Sequence, residues 1–131
     1  MTTVRIRDEE TTGGSAAREW LLELLTERVT VRELIRSRVH QEVKDHNARA
    51  AETFTGLVRP VGATDGPGGW RVERGRRIDW KEQFEKALEA FTANRVLVLV
   101  DDRQVTSLDT ELVTTPATRV TFLRLLPLVG G

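Results

Sequence analysis

RVLVLVDDRQVTSLDTELVTTPATRVTFLRLLPLVGG, residues Arg95 to Gly131, decides how the chain reads. Two alternating apolar runs, 95–100 and 119–126, flank polar, turn-rich sequence. Alternation with a period of two marks a strand whose two faces differ. Val96, Val98 and Val100 alternate with Leu97 and Leu99, so this strand is expected to bury one face and leave the other sticky. Asp101 to Gln104 reads as a turn. Val105 and Leu108 begin a short return, Leu112 and Val113 anchor a tight connection, and Pro116 blocks helix. In the last run Val120 and Phe122 are the expected inward residues. Past Leu123 the alternation slips, because Arg124 falls on the inward side. A bulge, or an early exit from the sheet, is expected there. The run continues through Leu126, Pro127, Leu128 and Val129 into Gly130-Gly131. Two residues without side chains, ending in a carboxylate, can thread a narrow slot.

The opening of the chain supplies the complement. Thr2 to Arg7 alternates, with Val4 and Ile6 on one side and Thr3 and Arg5 on the other. That is a half-buried strand. Asp8 to Ser15 is turn chemistry, with Gly13-Gly14 able to take positive φ. A hairpin follows, with Arg18 to Leu25 as its return strand. A helix then starts at Thr30, where Thr30 and Glu33 form a capping box and Val29 and Leu34 a hydrophobic staple. Val31, Leu34, Ile35, Arg38, Val39, Glu42 and Val43 share one side of it. It is expected to run to about Thr53, with Phe54, Leu57 and Val58 tucking its end onto the body. Arg59 to Gly75 concentrates Pro, Gly and Asp and reads as a loop. Gly69 to Arg77 is expected to form a short hairpin arm, or a solvated loop with Trp70 folded against the domain. Its arginines suit an acidic partner. A second helix begins at Asp79, where Asp79 and Glu82 repeat the capping pattern. Trp80, Phe84, Ala87, Leu88 and Phe91 form one apolar stripe, and Asn94 is the expected left-handed stop.

Bulk numbers narrow the function. The 131 residues suit a single domain, 1–131, around one core. Lys plus Arg equals Asp plus Glu, 20 against 20, so no strong field steers the chain to nucleic acid or membrane. There is no cysteine, which removes disulfides, cysteine-ligated zinc and a thiol nucleophile, and fits a reducing cytoplasm. No apolar run approaches the ~20 residues of a membrane span. MTTVRIRDEE lacks the apolar core of a signal peptide. His40 and His46 are the only imidazoles; six apart on one helix, they are expected to be solvated rather than to chelate a metal.

The order strand, turn, strand, helix, insertion, strand, short strand, final strand, Gly-Gly resembles the ubiquitin-like β-grasp family. TVRELI resembles the family's helix start. VLVDDRQVTSLDTEL resembles the stretch before the last strand in bacterial sulfur carriers, and LLPLVGG resembles their tail. The likeness covers roughly the first 45 and the last 37 residues. It implies an α+β fold, a mixed sheet with its first and last strands parallel at the centre and a long crossing helix. Residues 55–94, an inserted loop and second helix, have no counterpart, and 127–131 would be a flexible tail. Val129 stands where ubiquitin has arginine, which sets the tail nearer the sulfur-carrier type.

The resemblance implies a substrate and carrier, not an enzyme. An activating enzyme would adenylate the Gly131 carboxylate with its own ATP; the chain itself has no GxxxxGK[ST] loop. Gly130 permits close approach, Pro127 stiffens the exit, and Leu126, Leu128 and Val129 anchor in apolar pockets. The adenylate then yields a thiocarboxylate for sulfur transfer, or an isopeptide bond on target proteins through a conjugating enzyme, reversed by a deconjugating peptidase. Both outcomes stay open. Leu97 and Leu99 are the candidate partner surface, or are covered by the second helix. The competing reading is a non-conjugated interaction module with an inert tail. An enzyme would need convergent groups, and Asp101-Asp102 is a hairpin turn before it is a carboxylate pair.

Overall fold

The computed structural model describes residues 1–11, 17–66 and 68–125. Among the described residues the chain is mixed α+β, with a five-stranded mixed sheet and two helices. It divides into two units, Met1–Leu34 with Ala90–Gly131, and Ile35–Glu89.

In the first unit, β1 (Thr2–Glu10) and β2 (Arg18–Leu24) form the opening antiparallel pair. β1 is longer than its sequence suggests. Asp8 to Glu10, expected as turn, pair with Phe122 to Arg124 instead. The cause lies far along the chain, in the strand that runs beside them, and the Asp8 carboxylate also accepts the Trp20 indole N–H across the hairpin at 3.0 Å. Glycines 13 and 14 lie outside the described residues. β3 (Arg28–Thr30) leads into α1 (Val31–Arg49).

The start of α1 is held from two directions. The Glu33 N–H donates to the Thr30 hydroxyl oxygen at 3.1 Å. The Thr30 hydroxyl donates to the Glu33 carboxylate at 3.1 Å, rather than Glu33 reaching back to the Thr30 N–H as in a full capping box. Thr30 is instead a strand residue, paired with Glu111. The next orphan donors of the helix, the N–H groups of Val31 and Arg32, reach the Thr110 and Leu108 carbonyls at 3.0 Å each. Arg32 and Asp109 add an ion pair at 2.6 Å. So the stretch 108–110 serves as a cap supplied from far along the chain.

The sheet is completed by the C-terminal part. The order is β2-β1-β10-β7-β8, with β7 (Val96–Val100), β8 (Arg103–Val105) and β10 (Arg119–Arg124). β1 and β10 are parallel; β10 with β7, and β7 with β8, are antiparallel. β9 (Glu111–Val113) pairs with β3 in a separate two-stranded ladder. There Leu112 is buried but Val113 is 63% exposed, so only the first of the two expected anchors is one. Asp101 and Asp102 have φ of 48° and 70°, which is the signature of a two-residue hairpin. The return strand therefore starts at Arg103, two residues earlier than its apolar residues suggest. One face of the sheet buries Val4, Ile6, Leu22, Leu24, Val96, Val98, Val120 and Phe122. Each such side chain contributes about 1.5–3 kcal/mol.

The second unit carries the rest of α1, a small sheet and most of α2 (Trp80–Thr92). α1 stops at Arg49, four residues short of expectation, because Ala50 turns left-handed at φ 50° and returns its N–H to the His46 carbonyl at 2.9 Å. β4 (Thr53–Phe54), β5 (Thr64–Gly66) and β6 (Gly69–Arg71) pair in the order β4-β6-β5. The hairpin thus spans 64–71, not 69–77. Trp70 is half-buried and stacks on Phe54 at 6.5 Å. Arg38 is buried, 2% exposed, and its Nε donates to Glu42 at 2.5 Å. The other Glu42 oxygen accepts the Leu57 N–H at 3.1 Å, pinning the loop to the helix. Asp79 caps α2 through the Lys81 N–H at 3.0 Å. Gln83 is buried with Ala87 while Trp80, Phe84 and Leu88 are half-exposed. The stripe is rotated because Gln83 Nε2 has an inward acceptor, the Val58 carbonyl at 2.9 Å. No described helix is long and apolar enough to cross a membrane.

Candidate functional site

The candidate site is built where β10 leaves the sheet. β10 lies between β1 and β7, so both of its edges are hydrogen-bonded. Its last residue, Arg124, is level with Glu10 at the end of β1 and Val96 at the start of β7. The ladder against β7 is unbroken from Val120 to Arg124, so no bulge resolves the slipped alternation. Instead, Arg124 keeps its inward parity and its guanidinium pairs with the Glu10 carboxylate. The expected early exit does not occur either, since β10 includes Arg124. The Leu125 N–H donates to the Arg95 carbonyl at 2.9 Å, and the Thr11 N–H to the Arg124 carbonyl at 3.1 Å. These bonds clamp the chain at the base of the candidate tail.

The tail residues singled out from the sequence, Leu126, Pro127, Leu128, Val129, Gly130 and Gly131, lie outside the described residues. Leu97 and Leu99 are described and half-buried on β7. The register sets Leu97 beside Leu123 and Leu99 beside Thr121, all on the face opposite Val98 and Phe122. Leu21 belongs to the same face through its pairing with Arg5, and is 66% exposed. Arg7 also lies on that face, with ion pairs to Glu9 at 2.5 Å and Glu19 at 3.5 Å. The face is therefore apolar at β7 and charged at β1.

Other candidates resolve structurally. Asp101 accepts the Arg119 N–H on its carboxylate at 3.0 Å and donates its own N–H to the Arg119 carbonyl at 2.9 Å. It is a turn residue locking β7 to β10. The expectation of two solvated histidines fails at His46, which is 3% exposed. Its ring meets Phe54 edge-on at 5.3 Å, and its Nε2 is buried without a hydrogen-bond partner. Burial, then the nearby Arg49 charge, pushes its pKa below the usual imidazole value, against a hydrogen bond with the Thr53 backbone. His46 falls three residues past Val43 on the inward side, a spacing that predicts burial once the helix is extended that far. His40 is exposed. Burial also lowers the Lys86 pKa, whose ammonium donates to the Arg59 carbonyl. Among the described residues no group of three His, Asp or Glu side chains can hold a metal ion.

The contacts clamping the tail base, Glu10–Arg124 and Leu125–Arg95, were legible only as the parity slip at Arg124. Comparison with protein-family models, curated proteins and solved structures returns no match.

Proposed function

We propose that the chain is a ubiquitin-like β-grasp protein whose Gly131 carboxylate is activated by a partner enzyme. The observation that carries the reading is the strand order β2-β1-β10-β7-β8 with β1 and β10 parallel at its centre. That order suits a body whose final strand hands the sequence LLPLVGG directly to a partner. In the proposed step, a carboxylate oxygen of Gly131 attacks the α-phosphorus of ATP in the partner's site and pyrophosphate leaves. The acyl-adenylate has a good leaving group, and fixed geometry supplies up to ~7–11 kcal/mol of the barrier reduction. A partner thiol displaces AMP, and a lysine amine then displaces the thiol to give an isopeptide. Alternatively a partner persulfide displaces AMP, and reductive release by a thiol leaves a thiocarboxylate. The protein is the acyl donor throughout, not the catalyst.

Intact mass spectrometry of the protein from its native host tests this. Replacement of one carboxylate oxygen by sulfur identifies a carrier. Lysines of other proteins bearing a branch identify a modifier. Arg124 is the last tryptic site, so the branch after trypsin is Leu125–Gly131 rather than a bare Gly-Gly. A protein recovered with an unmodified end under all conditions, and no branched targets, refutes the proposal.

A second reading is favoured by one observation, the shared face of Leu21, Leu97, Leu99 and Leu123. It makes the chain a docking module with no acyl chemistry. Deleting Gly130-Gly131 separates the two: a module keeps its partners, whereas an acyl donor loses adenylation while remaining folded.

A further inference from the structure

The unit 35–89 holds a cavity of about 450 Å³, large enough for a small ligand or a few residues of peptide. Its walls are His40, Val43, Lys44 and Asn47 from α1 and the run from Arg77 to Trp80. The wall is rigid where it matters. Asn47 Nδ2 donates to the Ile78 carbonyl at 3.0 Å, and its Oδ1 accepts the Ile78 N–H at 2.8 Å. This side chain acts as a two-bond clip between helix and loop. Val43 and Ile78 back the cavity but are only 3% and 5% exposed, so its accessible apolar surface comes from Ala48, which is exposed, and the half-buried Trp80. Lys44, Arg77 and His40 are exposed and give it a cationic rim. Among the described residues neither Lys44 nor Arg77 forms an ion pair. Asp79 is the one acid in the lining, and its carboxylate is engaged by the Lys81 N–H at 3.0 Å.

Trp80 decides between anionic ligands. The Arg36 guanidinium sits 5.4 Å over its ring, and His40 meets it edge-on at 5.5 Å. Phe84 lies a further 6.3 Å from the ring centre on the same helix. The indole is thus a wall already dressed with a cation, not an open platform on which a base can stack. A simple phosphate would use the rim but leave Ala48 and the open part of Trp80 without apolar contact. A chain carrying an aliphatic side chain next to a carboxylate would use both.

We propose that this cavity binds an acidic peptide segment of a partner protein, with a Leu-Glu type pair placing its aliphatic group against Ala48 and Trp80 and its carboxylate between Lys44 and Arg77. The assignment does not depend on how Gly131 is used.

The test uses the full chain, ¹⁵N-labelled, titrated with acetyl-Glu-Leu-Glu-Leu-Glu-amide. The expected result is saturable shifts confined to Lys44, Asn47, Ile78 and one of the three tryptophan indole signals, with a Kd of about 1 mM or tighter. The Gln-for-Glu peptide should bind at least about fivefold more weakly, since exposed charge pairs carry modest energies. The Lys44→Gln/Arg77→Gln variant should show the same loss, and Arg74→Gln should not. Both substituted side chains are exposed, and an unchanged amide spectrum verifies the fold. No shift at millimolar peptide, equal binding of the Gln peptide, full binding by the double variant, or tighter binding of oligouridine at the same residues would each overturn the assignment.

Discussion

Glu42→Ala tests how the unit 35–89 is held together. The carboxylate does two jobs. One oxygen accepts from Arg38 Nε at 2.5 Å, and the other from the Leu57 N–H at 3.1 Å. Arg38 is 2% exposed and Glu42 12%, so water replaces neither bond easily. Removing one member of a buried ion pair costs ~3–5 kcal/mol, because the remaining charge keeps its desolvation penalty. The Leu57 N–H adds up to ~1–3 kcal/mol if it stays dry. The two do not add fully, since a loop released from the helix can rehydrate. We expect a loss of ~3–5 kcal/mol. Glu42→Gln retains an acceptor for Leu57 and should lose roughly half as much. Arg38→Met with Glu42→Leu, which removes both charges, should cost less than Glu42→Ala alone. As a scale, Arg28→Ala breaks an ion pair whose members are 71% and 56% exposed, and should cost ~0–1 kcal/mol. Urea unfolding followed by circular dichroism gives the midpoint and slope for each variant. A Glu42→Ala loss under ~1 kcal/mol, or a double variant worse than the single, would refute the account of this pair.

Gly69→Ala should destabilise by ~1–3 kcal/mol, read as a lower Tm. The added Cβ would stand 2.4 Å from the Phe54 carbonyl oxygen, which is backbone and cannot rotate away. Asn94 ends α2 with φ 60°, its N–H bonded to the Phe91 carbonyl at 3.1 Å and that of Arg95 to the Ala90 carbonyl at 2.8 Å. Asn94→Val should therefore cost ~1–2 kcal/mol in urea unfolding, while Asn94→Gly should be nearly neutral. His46 has a lowered folded pKa, so the unfolded chain binds its proton more readily. Its contribution to stability is fully present above the unfolded value of ~6.5 and is lost as pH falls from there toward the folded pKa. His46→Phe should flatten that part of the stability–pH curve; an unchanged slope between wild type and variant would count against burial as the cause.

Period-two patterns were the readable part. Val4 and Ile6, Val96 and Val98, and Val120 and Phe122 all face the buried side as their alternation requires. Helix ends with a chemical signal, Thr30, Asp79 and Asn94, also fall where expected. What escaped was set by partners distant in the chain. Asp8 to Glu10 look like turn residues until β10 lies beside them. Nothing in TSLDTEL announces that its carbonyls finish the first turn of α1. Gly69 and Trp70 read as the beginning of the inserted hairpin, whereas they form its second strand. Residue type alone suggests a solvated His46, but its helical phase puts it inside. The cavity lined by Lys44 and Arg77 joins residues 33 positions apart and has no motif.

The placing of β10 makes the proposed tail chemistry separable from folding. Arg5 is paired with Arg119, so the sheet closes only when the two ends of the chain meet. A strand with neighbours on both sides cannot be shortened without opening two ladders, and a parallel pairing of such sequence separation forms late. Loss of Phe122 would remove a fully buried ring as well. The Leu125–Arg95 bond, the Arg124–Glu10 pair and the whole of β10 lie upstream of Gly130-Gly131. Deleting those two glycines removes none of the groups that make these contacts. A variant that keeps its unfolding midpoint but is no longer adenylated has therefore lost a reacting group, not a fold. A variant that loses both would place the glycines in the structure and remove the argument for an acyl donor.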